Sequence, residues 1–129
     1  NPRVVSITQG VCVDLSGQVA TQSSRMEFAS HPGVQRVFHS VAASSPGGAG
    51  IVVIPSASAS AKGTNVVDSM PFGVTVGIPR DDVDVVVTEH GIARLRGKTL
   101  PERALAMISV AHPNWRDALA TRARKVGLL

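Results

Sequence analysis

The stretch Gly50-Ile51-Val52-Val53-Ile54-Pro55 decides the fold class. Four consecutive apolar, β-branched residues between a glycine and a proline predict a short strand that is buried on both faces, as strands of parallel sheets are. The valine-rich run Val83–Thr88 predicts a second strand of this kind. Together these runs favour an α/β domain in which a mostly parallel sheet is covered by helices.

Three helices are predicted around these strands. Residues Gly33–Ala43 place apolar side chains at helical spacing. Thr99-Leu100-Pro101-Glu102 has the spacing of a capping box, which predicts a helix from there to about Val110. Pro113 opens a last helix, for which Gly127 is the stop signal. Further short strands are predicted at Val4–Thr8, Val11–Val19 and Val74–Ile78, with tight turns at Gly10 and Gly17.

Composition restricts the class of protein. The chain has 129 residues, 43% of them apolar and 17% charged, which is typical of one globular domain spanning residues 1–129. The single cysteine, Cys12, excludes an internal disulfide. No apolar run approaches the length of about 20 residues that crosses a bilayer. We therefore expect a soluble, cytoplasmic domain, and because the first residue is Asn1 we expect it to be part of a longer chain.

Positive charge is concentrated in the last third of the chain. Residues 94–125 contain eight Lys or Arg and two acidic residues, whereas the whole chain has a net charge of +4. Such a segment is either a solvated helix face or a surface for a phosphorylated ligand, an acidic partner or a nucleic acid. No recognised nucleic-acid motif accompanies the charge, so a nucleic-acid partner is disfavoured.

Several common sites are excluded by spacing. The glycine-rich segment 46–50 precedes its strand, whereas a phosphate-binding loop must follow a strand and open a helix. There is no Gly-x-Ser-x-Gly elbow. The four histidines form no i, i+4 pair and have no cysteine partners, so we predict no metal site.

Glu89 is the foremost candidate for chemistry. It ends the Val83–Thr88 strand, at the edge where open α/β sheets bind ligands, and a carboxylate there can orient a substrate. The alternative is a structural ion pair with Arg94 or Arg96. Lys62 lies in a loop of small residues after the central strand, where it either meets a phosphate or is solvated. Glu27, in a segment without clear pattern, is best explained as a surface residue.

Three separated segments resemble the acetyl-CoA hydrolase/CoA-transferase family, which includes acetate and 4-hydroxybutyrate CoA-transferases. The first is Val13-Asp14-Leu15-Ser16-Gly17-Gln18-Val19, similar to the family element V-D-L-x-G-Q-V. The second runs from Ile78-Pro79-Arg80 through Thr88-Glu89-His90-Gly91 to Leu100. The third, residues 108–116, is similar to the closing I-S-I-A-H-P-x-[FW]-R. The matches follow the family order and correspond to the C-terminal part of the full enzyme.

The resemblance implies a CoA-transferase-like (NagB/RpiA-like) α/β fold and ping-pong acyl transfer. In that scheme a glutamate attacks an acyl-CoA and an enzyme-bound CoA thioester then delivers CoA to a second carboxylate or to water. The family's nucleophilic glutamate lies upstream of the matched part, so the isolated chain is expected to be inactive. By resemblance, Gly33 and Gln35 line the acyl pocket, Glu89 supports substrate orientation and Lys62 approaches the CoA phosphates.

CoA or acyl-CoA is accordingly expected as substrate, with a small carboxylate as second partner and no permanently bound cofactor. The missing N-terminal half of the enzyme is a further expected partner. Two family positions differ in the pocket segment: Val34 replaces a glycine and Val37 an aspartate, and Asp68 replaces an arginine elsewhere. These changes fit either an altered acyl pocket or a degenerate domain that binds CoA or another chain without chemistry.

Overall fold

The computed structural model describes residues 1–21, 32–60 and 62–129. Its elements, in chain order, are β1 (Val5–Gln9), β2 (Cys12–Asp14), β3 (Val19–Ala20), α1 (Pro32–Ser44), β4 (Ala49–Val53), β5 (Val66–Val67), β6 (Val85–Thr88), β7 (Gly91–Arg94), α2 (Leu100–Val110) and α3 (Pro113–Lys125). No helix among these described elements is long and apolar enough to cross a membrane.

A four-stranded sheet forms the frame of the fold, with strand order β1-β4-β6-β7. Strands β1, β4 and β6 run parallel, and β7 is antiparallel to β6. A smaller sheet of order β3-β2-β5 lies beside it. Helix α1 packs along β1 and β4, and α2 packs along β6 and β7. The predicted α/β class with a mostly parallel sheet is thus confirmed.

The prediction that the central strand is buried on both faces is wrong. Along β4 burial alternates: Val52 is fully buried, Ile51 is half-buried and Val53 is 41% exposed. Val52 is in register with Val86 of β6, which in turn faces Ala93 of β7, and these three belong to the apolar core. The helices and the small sheet pack on this one face, so the run of apolar residues in β4 does not reflect burial on both sides.

Other sequence predictions are corrected in detail. Residues 74–78 do not form a strand, since only Ile78 makes a bridge, to Val19. Within Val11–Val19 the tight turn predicted at Gly17 is present and begins directly after Asp14, so β2 is only three residues long. Strands β5 and β7 were not predicted, because both are short and β7 follows β6 after only two residues.

The helix predictions are confirmed. At the start of α2, Thr99 accepts a hydrogen bond from the Glu102 amide at 3.4 Å, and Glu102 Oε2 accepts one from the Thr99 amide at 2.8 Å. This reciprocal capping box satisfies amides that have no partner within the helix. Helix α3 ends in three cations, and Gly127 follows with a φ of 77°.

His39 fixes α1 against the sheet. Its side chain is fully buried, and Nε2 accepts a hydrogen bond from the Asp84 amide at 3.1 Å. Burial lowers the pKa of His39, against a raising effect of Asp84 and Asp82, so the ring is held neutral. A Cβ on Gly50 would stand 2.8 Å from this ring, which explains why strand β4 has a glycine there.

Candidate functional site

The carboxyl ends of β4 and β6 lie side by side and form the candidate site. After β4 the chain continues through Pro55 to Ser56, and after β6 through Glu89 to His90. The Ser56 amide donates a hydrogen bond to Glu89 Oε1 at 2.9 Å. Ser56 is buried, whereas the Glu89 side chain is 51% exposed, so the carboxylate joins the two strand ends and still faces solvent.

Glu89 is held as a carboxylate. Hydrogen bonding by Ser56 lowers the pKa of Glu89, and His90 acts in the same direction, against an opposing effect of desolvation. His90 Nε2 lies 3.5 Å from Glu89 Oε1. At neutral pH this side chain can accept hydrogen bonds or face a cationic or donor group of a substrate, and it is not suited to donate a proton.

The sequence-based alternative, an ion pair of Glu89 with Arg94 or Arg96, is not formed within the described residues. Arg96 donates instead to the carbonyl of Ala43 at the end of α1. Arg94 lies exposed on β7. The structural partner of Glu89 is Ser56, which sequence reasoning missed because the two residues are 33 positions apart.

A rigid turn positions Glu89. The preceding Thr88 is buried, and its hydroxyl donates to the Val110 carbonyl at 2.6 Å and accepts from the His90 amide at 3.0 Å. The His90 ring meets His112 edge-on, with ring centroids 5.6 Å apart. The end of α2 at Val110 and the N-cap of α3 at His112 therefore contact the residues on either side of Glu89, which is a favourable arrangement for orienting a ligand.

Lys62 lies in a short hairpin that starts at the same edge. Ala57 and Thr64 form a bridge, and the Ser58 amide donates to the Gly63 carbonyl at 2.9 Å. Lys62 is exposed near the tip of this hairpin. The fold thus brings the loop of Lys62 to the strand end that Glu89 contacts, without a described contact between the two side chains.

Gly33 and Gln35 lie in the first turn of α1. Helix α1 passes through residues 45–48 directly into β4 and packs along it. Next to Gln35, Arg36 Nε lies 2.7 Å from Asp82 Oδ2, in the segment that leads into β6. Gln35 Oε1 is buried and has no hydrogen-bond partner in the described part of the chain. No described contact joins Gln35 to Glu89, and Glu27 lies outside the described residues.

The basic C-terminal third is only partly a free charged face. Four of its arginines bind groups of this chain: Arg96 binds Ala43, Arg103 binds the carbonyls of Ser16, Arg80 and Lys98, Arg116 binds Ala111, and Arg122 pairs with Asp68. Arg96 and Arg122 remain exposed while they make these contacts, so the expected solvated or ligand-binding face is corrected only for Arg103, which is buried. Asp68, which replaces a family cation, forms an ion pair with Arg122, whose Nη1 lies 3.3 Å from Asp68 Oδ1.

This fold and edge define an α/β domain with a solvent-facing carboxylate at the ends of parallel strands. The chain matches the family model described as acetyl-CoA hydrolase/transferase C-terminal domain over residues 1–123. It belongs to that family and corresponds to its C-terminal domain.

Individual relatives agree with this assignment. The chain is 41% identical to a 4-hydroxybutyrate coenzyme A transferase of Clostridium kluyveri, over 97% of this chain and 29% of that protein. RipA from Yersinia pestis has a TM-score of 0.82 at 34% identity, over 97% of this chain and 26% of the solved chain. A solved 4-hydroxybutyrate CoA-transferase from Porphyromonas gingivalis has a TM-score of 0.77 at 35% identity, over 98% of this chain and 27% of the solved chain. The chain thus spans under a third of the length of these relatives.

Proposed function

We propose that the complete polypeptide containing this domain transfers CoA between an acyl-CoA and a small carboxylate, or hydrolyses acyl-CoA. The match to the family over residues 1–123 is the observation that carries this proposal. CoA and its thioesters act as substrates, and no cofactor stays bound. The nucleophilic glutamate lies outside these 129 residues, in the N-terminal part of the same enzyme.

In the proposed reaction the glutamate carboxylate attacks the thioester carbonyl of acyl-CoA, which forms an acyl-glutamyl anhydride and expels the CoA thiolate. The thiolate then attacks the glutamyl carbonyl, which forms the glutamyl-CoA thioester and releases the acyl group as a carboxylate. A second carboxylate reverses these two steps to give a new acyl-CoA and free glutamate, whereas water hydrolyses the thioester to free CoA and glutamate. Two moderate acyl transfers replace one difficult exchange.

A cytoplasmic location is part of the proposal, because the lone thiol of Cys12 suits a reducing compartment.

The domain's own residues would bind and orient these substrates. The buried, unpartnered Gln35 Oε1 supports a role beside Gly33 in the acyl pocket, because such an atom gains a hydrogen bond from a ligand donor. The exposed Lys62 ammonium would approach the CoA phosphates as a point charge. Glu89, fixed by Ser56, would orient the pantetheine arm by accepting hydrogen bonds from its amide groups.

Thioester trapping tests the proposed reaction directly. The complete protein is incubated with acetyl-CoA in the absence of acceptor and analysed by intact mass and peptide mapping. We expect one CoA adduct on a glutamate upstream of residue 1, which is lost when acetate is added. Turnover of acetyl-CoA without any such adduct would contradict the covalent route.

Glu89→Gln is expected to lower turnover of the complete enzyme about tenfold or more, which is about 1.4 kcal/mol in activation free energy. The amide keeps an oxygen that can accept from the Ser56 amide, so only the charge is lost. Asp117→Asn, which neutralises an exposed acid on α3, is the matched control and should leave steady-state kinetics unchanged. Equal kinetics of both variants and wild type would reduce Glu89 to a structural link between strand ends.

The alternative function is a degenerate domain that binds CoA or another chain without chemistry. The specific observation in its favour is that Val34 and Val37 stand where the family has a glycine and an aspartate. Calorimetric titration of the complete protein with CoA and acetyl-CoA separates the two functions. Saturable binding without a glutamyl-CoA adduct would establish the alternative.

A further inference from the structure

One face of the four-stranded sheet is apolar and partly exposed: Val85 on it is buried, and Ile51 and Val87 are half-buried, but the side chains around them are exposed. The strand registers align Ile7 with Ile51 and Val85, and Val53 with Val87 and Ile92. Partners in register point to the same side of a sheet. The four most exposed apolar side chains of this face are Val5 at 55%, Ile7 at 70%, Val53 at 41% and Ile92 at 60%.

A second apolar surface lies on α1. The stripe predicted from its helical spacing is exposed, with Val34 at 56%, Val37 at 60%, Phe38 at 64% and Val41 at 57%. The opposite side of the same helix carries His39 and Ala42, both fully buried against the sheet. Such a stripe normally faces a core, so its exposure indicates that a packing partner is missing.

Strand β1 joins these two surfaces. A groove of about 890 Å³ runs between β1 and α1 and is lined by Val4 and Val5 on one side and by Phe38 and Val41 on the other. β1 is also an edge strand, since the sheet order begins with it. Proteins rarely leave an apolar edge of this length open, because it templates pairing with another chain.

The outer edge of β1 presents backbone amides and carbonyls that a further strand could pair with. Its ladder to β4 runs from the bond between the Ala49 amide and the Val4 carbonyl to the bond between the Gly10 amide and the Val53 carbonyl. In a parallel ladder alternate residues face each neighbour, so the amides and carbonyls of Val5, Ile7 and Gln9 point away from β4.

We infer that the sheet face, the edge of β1 and the α1 stripe together bind the N-terminal part of the same polypeptide. That part adds a strand to β1 and covers both the sheet face and the α1 stripe. The matched family model is a C-terminal domain, and the chain spans 29% of the Clostridium relative, so most of that protein lies N-terminal to the matched region. The two apolar surfaces lie on opposite sides of the sheet. A partner that extends the sheet and packs on both sides fits them better than a second copy of this domain.

Residue-resolved hydrogen exchange on the complete polypeptide tests the inference independently of its activity. We expect the Val5, Ile7 and Gln9 amides to exchange at least about 100-fold more slowly than unprotected amides. The exposed loop around Phe72 serves as the rapidly exchanging reference. Exchange of the three amides as fast as this loop would overturn the inference. Protection that is lost when dilution yields monomers, followed by light scattering, would assign the surface to a second copy and also overturn it.

Substitutions in the complete polypeptide give a second test. Ile7→Asp should lower its melting temperature by about 5 °C or more beyond the effect of Leu105→Asp. Leu105 is a suitable control because it is 58% exposed on α2, outside the proposed surface. Equal shifts for the two variants would show that Ile7 remains exposed in the complete protein.

Discussion

Asp14→Ala is expected to lower the free energy of unfolding of this domain by about 3–5 kcal/mol. Asp14 is only 3% exposed, and its Oδ1 accepts from the Ser16 amide at 2.9 Å, the Ser16 hydroxyl at 2.7 Å and the Gln18 amide at 3.1 Å. Oδ2 accepts from Gln18 Nε2 at 2.7 Å. Alanine removes all four acceptor contacts and leaves their donors in a largely buried turn. Since domains are stable by about 5–15 kcal/mol, this is a large share of the total.

Asp14→Asn is the matched variant, because its amide oxygen can still accept the three bonds made to Oδ1. We expect it to lose less than half as much stability as the alanine variant. Denaturant unfolding, followed by circular dichroism with a shared m-value, measures both. A loss below about 1 kcal/mol for Asp14→Ala would contradict the assigned role of this turn.

Arg103→Met is expected to cost about 2–4 kcal/mol of unfolding free energy. The Arg103 side chain is buried, and its guanidinium binds three carbonyls: Nη1 donates to Arg80 at 2.6 Å and to Ser16 at 3.3 Å, and Nε donates to Lys98 at 3.1 Å. Methionine fills the volume of the aliphatic stem but leaves those carbonyls without donors. The loss arises from unsatisfied polar groups and not from an emptied cavity.

Arg124→Met is the control for Arg103→Met, since Arg124 is exposed in the last turn of α3 and its charge contributes only a few tenths of a kcal/mol there. Combining Asp14→Ala with Arg103→Met should cost less than the sum of the single losses, because both residues hold the turn at Ser16. Fully additive losses, or an Arg103→Met loss within the error of the Arg124→Met value, would show that Arg103 does not stabilise this turn.

These contacts give a physical meaning to the family motifs. In Val13–Val19 the Asp14 carboxylate accepts a hydrogen bond from the side-chain amide of Gln18. Gly17 supplies the φ of 95° that the turn requires. In the motif that begins at Ile78, the Arg80 carbonyl binds Arg103. The first motif and Arg80 of the second serve folding, whereas Glu89, also in the second motif, combines a fixed backbone with an exposed carboxylate. The family resemblance therefore rests largely on residues that stabilise the fold.

The sequence by itself determined the local elements and the family. The capping box at Thr99–Glu102 and the valine runs specify α2, β4 and β6, because helix caps and apolar periodicity act over a few residues. It also placed Glu89 at a strand end. Membership of the family followed from motifs whose residues lie close together along the chain.

Only the tertiary structure decided which apolar surfaces are buried and which polar groups meet. The stripe of α1 has the same spacing as a core-facing helix, yet it is exposed, because burial depends on what packs against a surface. Ser56 and Glu89 are 33 residues apart, and Ser16 and Arg103 are 87 apart. Contacts over such separations are set by how strands and helices pack together, and no local pattern encodes them.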